Sequence, residues 1–128
     1  MASGNMILAV AGGGALGALA RYGVSSLAIK TLGPSFPWGT LTVNALGSLV
    51  MGLAITWLAA HEPQSPVWRA FLTVGMLGAF TTFSTFSLDA VTLYKDRTIA
   101  IAGLYIGASL VLSIGGLLLG LMLGKAAT

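Results

Sequence analysis

The chain reads as four long apolar stretches with little between them, covering residues 6–29, 38–60, 67–93 and 99–123. A helix needs about 20 apolar residues to cross roughly 30 Å of hydrocarbon. Each stretch meets that length, so each is expected to span a membrane. The connections are KTLGPSFP, HEPQSP and YKDR, which bring the charges, prolines and small polar residues of turns. Too little remains for a soluble domain, so residues 1–128 are read as a single four-span membrane domain. Alternating hydrophobicity at period two is absent, which argues against a β-barrel. The first stretch follows no basic segment and runs too far for a signal peptide, so a permanent span is expected.

Composition agrees and removes other classes. Only 7% of the residues are charged and 56% are hydrophobic, whereas a soluble domain carries about 25% charged residues. A surface so poor in charge would precipitate in water, so the solvent is lipid. Cysteine is absent, which excludes disulfides and thiolate metal sites. One His and three acidic residues are too few for a convincing metal centre. The net charge of +3 fits basic residues flanking a membrane. No clustered basic stripe exists, so nucleic acid is not an expected partner. No nucleophile, base and orienting group fall into a set, so an enzyme is not expected. Nor is there a Gly-rich loop followed by Lys-Ser or Lys-Thr to hold ATP.

The loops are short enough to make successive spans antiparallel neighbours. Four short helices hardly enclose a polar pathway alone, so oligomerisation is expected. Small residues recur at steps of four: Gly13 and Gly17, Gly103 and Gly107, then Gly116, Gly120 and Gly124. Each set lies on one helix face and lets backbones approach, so at least one is expected at a helix contact. Arg69 and Lys125 share one side of the membrane, and Lys30, Lys95 and Arg97 the other. Lys and Arg set orientation through their imbalance. The bias here is weak, even with Arg21 snorkelling to the first-loop side. Insertion in both orientations is therefore the hypothesis, and it would permit an antiparallel dimer.

Polar residues inside a span bridge helices or serve function. Asn44, in GTLTVN, offers an amide for an interhelical bond or for a passing anion. Arg21, in GALGALARY, is either an interfacial arginine or a fixed charge drawing anions to a pore mouth. Tyr105, Ser109 and Ser113 fall at i, i+4 and i+8, so three hydroxyls share one helix face as a polar track. Asp89, toward the end of the third span, is expected to pair with Lys95 or Lys30.

The third span holds GAFTTFSTFS, with five hydroxyls, one glycine and three phenylalanines in ten residues. These are middling to poor helix formers. Irregular backbone at membrane depth is tolerated only where protein or a water-filled cavity shields it. An interrupted helix frees carbonyls for a cation and amides for an anion. Phe83 and Phe86 share a face, and a phenyl ring has a positive edge. Ser84, Thr85 and Ser87 add O–H donors. The composition fits a path of weak, multiple contacts for a small anion, as conduction requires.

Together these residues resemble the Fluc (CrcB) family of fluoride channels. The likeness covers nearly the whole chain, through its length, its four spans and three motifs in order. GGGALGALARY (12–22) and GTLTVN (39–44) resemble the family's first two motifs, and GAFTTFSTFS (78–87) its third, which is quite specific. The resemblance implies an all-α membrane protein forming an antiparallel dual-topology homodimer with two fluoride pores. It implies a third helix broken at its centre, where carbonyls of both subunits hold one sodium ion. Here these would be the carbonyls of Gly78 and Thr81. Phe83 and Phe86 would turn ring edges to fluoride, and Asn44 would be the pore asparagine. Tyr105, Ser109 and Ser113 would match the fourth-helix pore wall and track. Arg21 matches the motif arginine, with a structural or vestibule role.

The implied function is passive, voltage-driven fluoride export across the cell (inner) membrane. The runner-up is a small four-helix multidrug/proton exporter. Such carriers depend on a glutamate in their first span; here that span holds no acid, and Glu62 is placed in a loop. A third reading, an accessory membrane subunit, predicts no ion flux by the purified protein.

Overall fold

The computed structural model describes residues 4–61 and 65–128. Glu62, placed in a loop by its sequence context, lies outside the described residues. Helix α1 spans Gly4–Leu32 and α2 spans Trp38–Ala60. The third span begins with Pro66–Arg69, continues through Ala70–Leu77 and ends its first part with Gly78–Phe80. These three pieces run on as one stretch, residues 66–80, called α3 here. Thr81 (φ −89°, ψ 159°) and Thr82 (φ −153°, ψ 124°) are extended. Helix resumes as α4, Phe83–Asp96, and α5 spans Ile99–Ala127. The described structure is all-helical. Gly4–Leu32, Trp38–Ala60, Pro66–Asp96 and Ile99–Ala127 are long and apolar enough to cross a membrane.

Hydroxyl caps start three of these segments. Val67 N–H donates to Ser65 Oγ (3.2 Å), Thr85 N–H to Thr82 Oγ1 (3.2 Å), and Ile101 N–H to Thr98 Oγ1 (3.1 Å). Each bond satisfies an amide that the first helical turn leaves open. Helix α1 runs past Lys30 and stops at Gly33, whose φ of +84° suits glycine and whose N–H closes onto the Ile29 carbonyl at 3.0 Å.

Residues Ala70–Leu77 form a π-helix, which the sequence did not suggest. AFLTVGML contains no proline or charge to flag a wider turn. Its position against α1 gives the reason it is tolerated. A Cβ on Gly75 would press on the Val10 carbonyl and Gly13, so glycine lets the widened turn sit against the neighbouring backbone.

Helix α1 lies chiefly against α3, and α2 chiefly against α5; α4 leans on α5. Two of the glycine sets make these contacts. A Cβ on Gly17 would collide with the Met76 carbonyl, and one on Gly120 with the Leu49 carbonyl. Backbone-to-backbone approach of this kind holds helices together where lipid removes the hydrophobic drive. Gly103 and Gly107 have open space beside them within the chain.

A small cluster of Leu41, Leu93, Ala102 and Tyr105 is buried, with Phe36 and Phe86 packed against it. Large apolar side chains elsewhere, among them Leu8, Leu19, Val111 and Met122, face outward. That inversion suits lipid. Trp38, Trp57 and Trp68 are partly exposed near helix ends, where interfacial aromatics collect.

Candidate functional site

The interruption between α3 and α4 is built by competition for backbone groups. Continued helix would bring Thr82 N–H to the Gly78 carbonyl. Instead Thr82 N–H donates to Asn44 Oδ1 at 2.8 Å, and Asn44 Nδ2 donates to the Thr82 carbonyl at 3.0 Å. Likewise Thr85 N–H, which would reach the Thr81 carbonyl, goes to the Thr82 hydroxyl. The Gly78 and Thr81 carbonyls are thereby released from those helical partners. Both of Thr81's own donors are spent on Leu77, the N–H at 3.2 Å and Oγ1 at 3.0 Å. Between the released carbonyls, Arg21 Nε donates to the Ala79 carbonyl at 3.0 Å. The Arg21 guanidinium thus meets the carbonyl end of α3, where a cation complements the helix dipole.

Beside the interruption is a cavity of about 230 Å³. Asn44 and Ser48 line it from α2, Thr81, Thr82, Phe83 and Phe86 from the third span, and Ser109, Leu110 and Ser113 from α5. The Ser109 hydroxyl is buried beside the Tyr105 hydroxyl and has no other hydrogen-bond partner among the described residues. Among the described residues, no carboxylate, lysine or arginine lines this cavity.

A second cavity, about 450 Å³, lies toward the α1–α2 loop and is lined by Phe36, Thr40, Thr85, Asp89 and Thr92 among others. Tyr105 is fully buried and lines neither cavity. It packs on Phe86 of the smaller cavity (centroids 5.4 Å apart) and on Phe36 of the larger (5.5 Å, edge-on at 88°). Phe83 continues the aromatic series at 5.6 Å from Phe86 and is 76% exposed on the single chain. Asp89 does not meet the expected lysine. Its Oδ2 accepts from Tyr105 O–H at 3.1 Å, because the side chain faces α5 rather than the helix end.

The structure therefore gathers Asn44, Phe83, Phe86, Ser109, Ser113 and Thr81 around one cavity and places Thr85 in the other. Ser84 lines neither; it is exposed, with its Oγ 3.4 Å from Thr82 Oγ1. Gly78 is exposed on the single chain. Sequence reasoning missed Thr40, Ser48 and Thr82. Thr40, Asn44 and Ser48 recur every four residues on α2, the same signal that marked Tyr105, Ser109 and Ser113 on α5. Asn44 and Ser48 from one stripe and Ser109 and Ser113 from the other line the smaller cavity, while Thr40 lines the larger. Among the described residues no cluster of His, Cys, Asp and Glu could hold a metal ion.

Four membrane-length helices, three of which line a cavity of hydroxyls, an amide and aromatic rings, define a multi-pass membrane protein with a polar site. The family model described as "CrcB-like protein, Camphor Resistance (CrcB)" matches residues 8–121, and the chain belongs to that family. It is 51% identical over 123 residues to a protein of Rhodospirillum centenum, covering 95% of this chain and 97% of the relative. It is 47% identical over 119 residues to one of Agrobacterium fabrum, covering 93% and 95%. A third, from Caulobacter vibrioides, is 43% identical over 122 residues, covering 94% and 96%. Each of these relatives is named "Fluoride-specific ion channel FluC".

Proposed function

We propose that this protein is a fluoride-specific ion channel, not an enzyme, that exports fluoride passively from the cytoplasm. The observation that carries the reading is the near end-to-end match to relatives named as fluoride-specific channels, at 43–51% identity. The site's chemistry supports it. Hydroxyl donors and ring edges attract a small anion weakly at several points, which lets the ion enter and leave. Hydrogen fluoride crosses lipid as a neutral molecule and ionises inside. A negative-inside potential then drives the anion out, at about 2.3 kcal/mol per charge per 100 mV.

The working unit in this proposal is an antiparallel dual-topology homodimer in the cell (inner) membrane. The smaller cavity supports it, because it is lined by hydroxyls and an amide and opens beside an exposed Phe83. Polar groups at such depth are costly against lipid, and a second copy would cover them. The third helix is taken as broken at Thr81–Thr82 so that the Gly78 and Thr81 carbonyls of both copies hold a sodium ion. Hard carbonyl oxygens of unwound helix suit such an ion. Bound sodium would supply a fixed positive charge beside the anion paths.

The test is fluoride efflux from liposomes containing only the purified protein. A fluoride electrode reads it, valinomycin with a potassium gradient sets the voltage, and chloride efflux is the control. Fast fluoride loss without chloride loss is expected. Efflux of neither ion from folded, dimeric protein would overturn the channel reading.

A further inference from the structure

We infer that Phe36 is a further residue of the conduction path, the plug of a lid formed by residues 33–37 and latched by Arg97. The inference rests on the channel reading above. Phe36 lines the larger cavity and Phe86 the smaller, and the buried Tyr105 touches both rings. An anion that has passed Phe86 and Tyr105 enters the larger cavity between Thr40 and Thr85. The Phe36 ring lines the same cavity, edge-on to Tyr105 and 4.7 Å from the Trp38 ring.

The loop is built to move as one piece. Pro34 and Pro37 fix their own φ angles, while Gly33, at φ +84°, is the swivel where α1 ends. At its far end the segment is tied to α2, where Trp38 N–H closes onto the Phe36 carbonyl at 2.8 Å. Its tie to the α4–α5 connection is one hydrogen bond, from Arg97 Nη1 to the Ser35 carbonyl at 3.1 Å. Both residues are exposed, so water competes for that bond, and the packing of Phe36 on the buried cluster is the main contact that opening gives up. Lifting the loop withdraws Phe36 from Tyr105 and costs the first hydrogen bond of α2, from Leu41 N–H to the Pro37 carbonyl at 3.2 Å.

The chain has no cysteine, so a single engineered thiol reports on the lid without using fluoride. Thr40→Cys places that thiol at a buried position lining the larger cavity. Its modification by a membrane-impermeant thiol reagent is followed in detergent, alone and combined with Phe36→Ala, Phe36→Leu or Arg97→Gln. Fluoride efflux is measured on the same lid variants without the thiol. Phe36→Ala and Arg97→Gln are expected to raise both rates several-fold, and Phe36→Leu, which keeps bulk, to stay near the parent. Should Phe36→Ala not fold, Arg97→Gln alters only an exposed side chain and carries the comparison. Unchanged modification, or faster modification with unchanged efflux, overturns the inference. Absence of efflux from the parent protein would instead overturn the channel reading.

Discussion

Asn44 and Thr82 exchange two hydrogen bonds across 38 residues of sequence, the side-chain amide of one pairing with the peptide N–H and C=O of the other. The pair does what a neighbouring strand would do for an extended residue. It satisfies backbone groups that the helix has abandoned at membrane depth, where water is not at hand. Asn44 is therefore a positioning residue for the interruption as well as a lining residue of the smaller cavity.

Removing that amide should be felt first as lost stability. Asn44→Ala leaves the Thr82 N–H and C=O unpaired, and each such group costs about 1–3 kcal/mol. A lower thermal midpoint of the purified protein is expected, together with lost efflux. Asn44→Asp keeps an acceptor for Thr82 N–H but puts a negative charge in the cavity. It is expected to fold closer to the parent and still impair fluoride efflux. Normal efflux through Asn44→Asp would place this residue outside the path.

Arg21 separates geometry from charge. Its Nε donates to the Ala79 carbonyl, and a hydrogen bond from a charged group contributes about 1.5–3 kcal/mol. Arg21→Gln is expected to lower both stability and efflux. Arg21→Lys keeps the charge but loses the planar Nε donor, so it should recover only part of the efflux. Full recovery in the lysine variant would show that Arg21 acts through its field alone.

The glycine seams divide into those the fold uses and one it leaves open. Gly120→Ala drives a methyl into the Leu49 carbonyl, and overpacking of this kind costs about 1–3 kcal/mol. A lower thermal midpoint is expected. Gly107→Ala meets nothing within 4 Å inside the chain, so subunit stability should hold. Loss of dimer in size-exclusion or cross-linking experiments on Gly107→Leu would place that face at the subunit contact; an unchanged dimer would place it in lipid.

Phe83 tests the aromatic edge with little structural risk. It is 76% exposed on the single chain, so Phe83→Ile leaves the subunit core intact while removing the ring edge. Efflux is expected to fall at least tenfold with the dimer preserved. Parental efflux would remove the aromatic edge from the mechanism.

Much of the site was legible because it follows helical periodicity. Tyr105, Ser109 and Ser113 share a face by spacing alone, and the hydroxyl-rich 78–87 segment announced itself by its weak helix propensity. Thr40 and Ser48 carried the same four-residue signal beside Asn44 but were hidden in a stretch full of small residues. Asp89 was misjudged because position along a helix does not say which face meets a neighbour; its partner is Tyr105, not a lysine. The π-helix at Ala70–Leu77 had no local mark, since it depends on how closely α1 approaches.

By itself the sequence determined the solvent and the architecture. Four apolar stretches with short polar connections have one stable use for their backbone groups, which is helices in lipid. Only the tertiary structure decided where the third span opens. Thr82 N–H could bond the Gly78 carbonyl or the Asn44 side chain, and no local pattern ranks the two. The packing of α2 beside the third span brings Asn44 Oδ1 to 2.8 Å. That contact turns a weak helical segment into a fixed interruption.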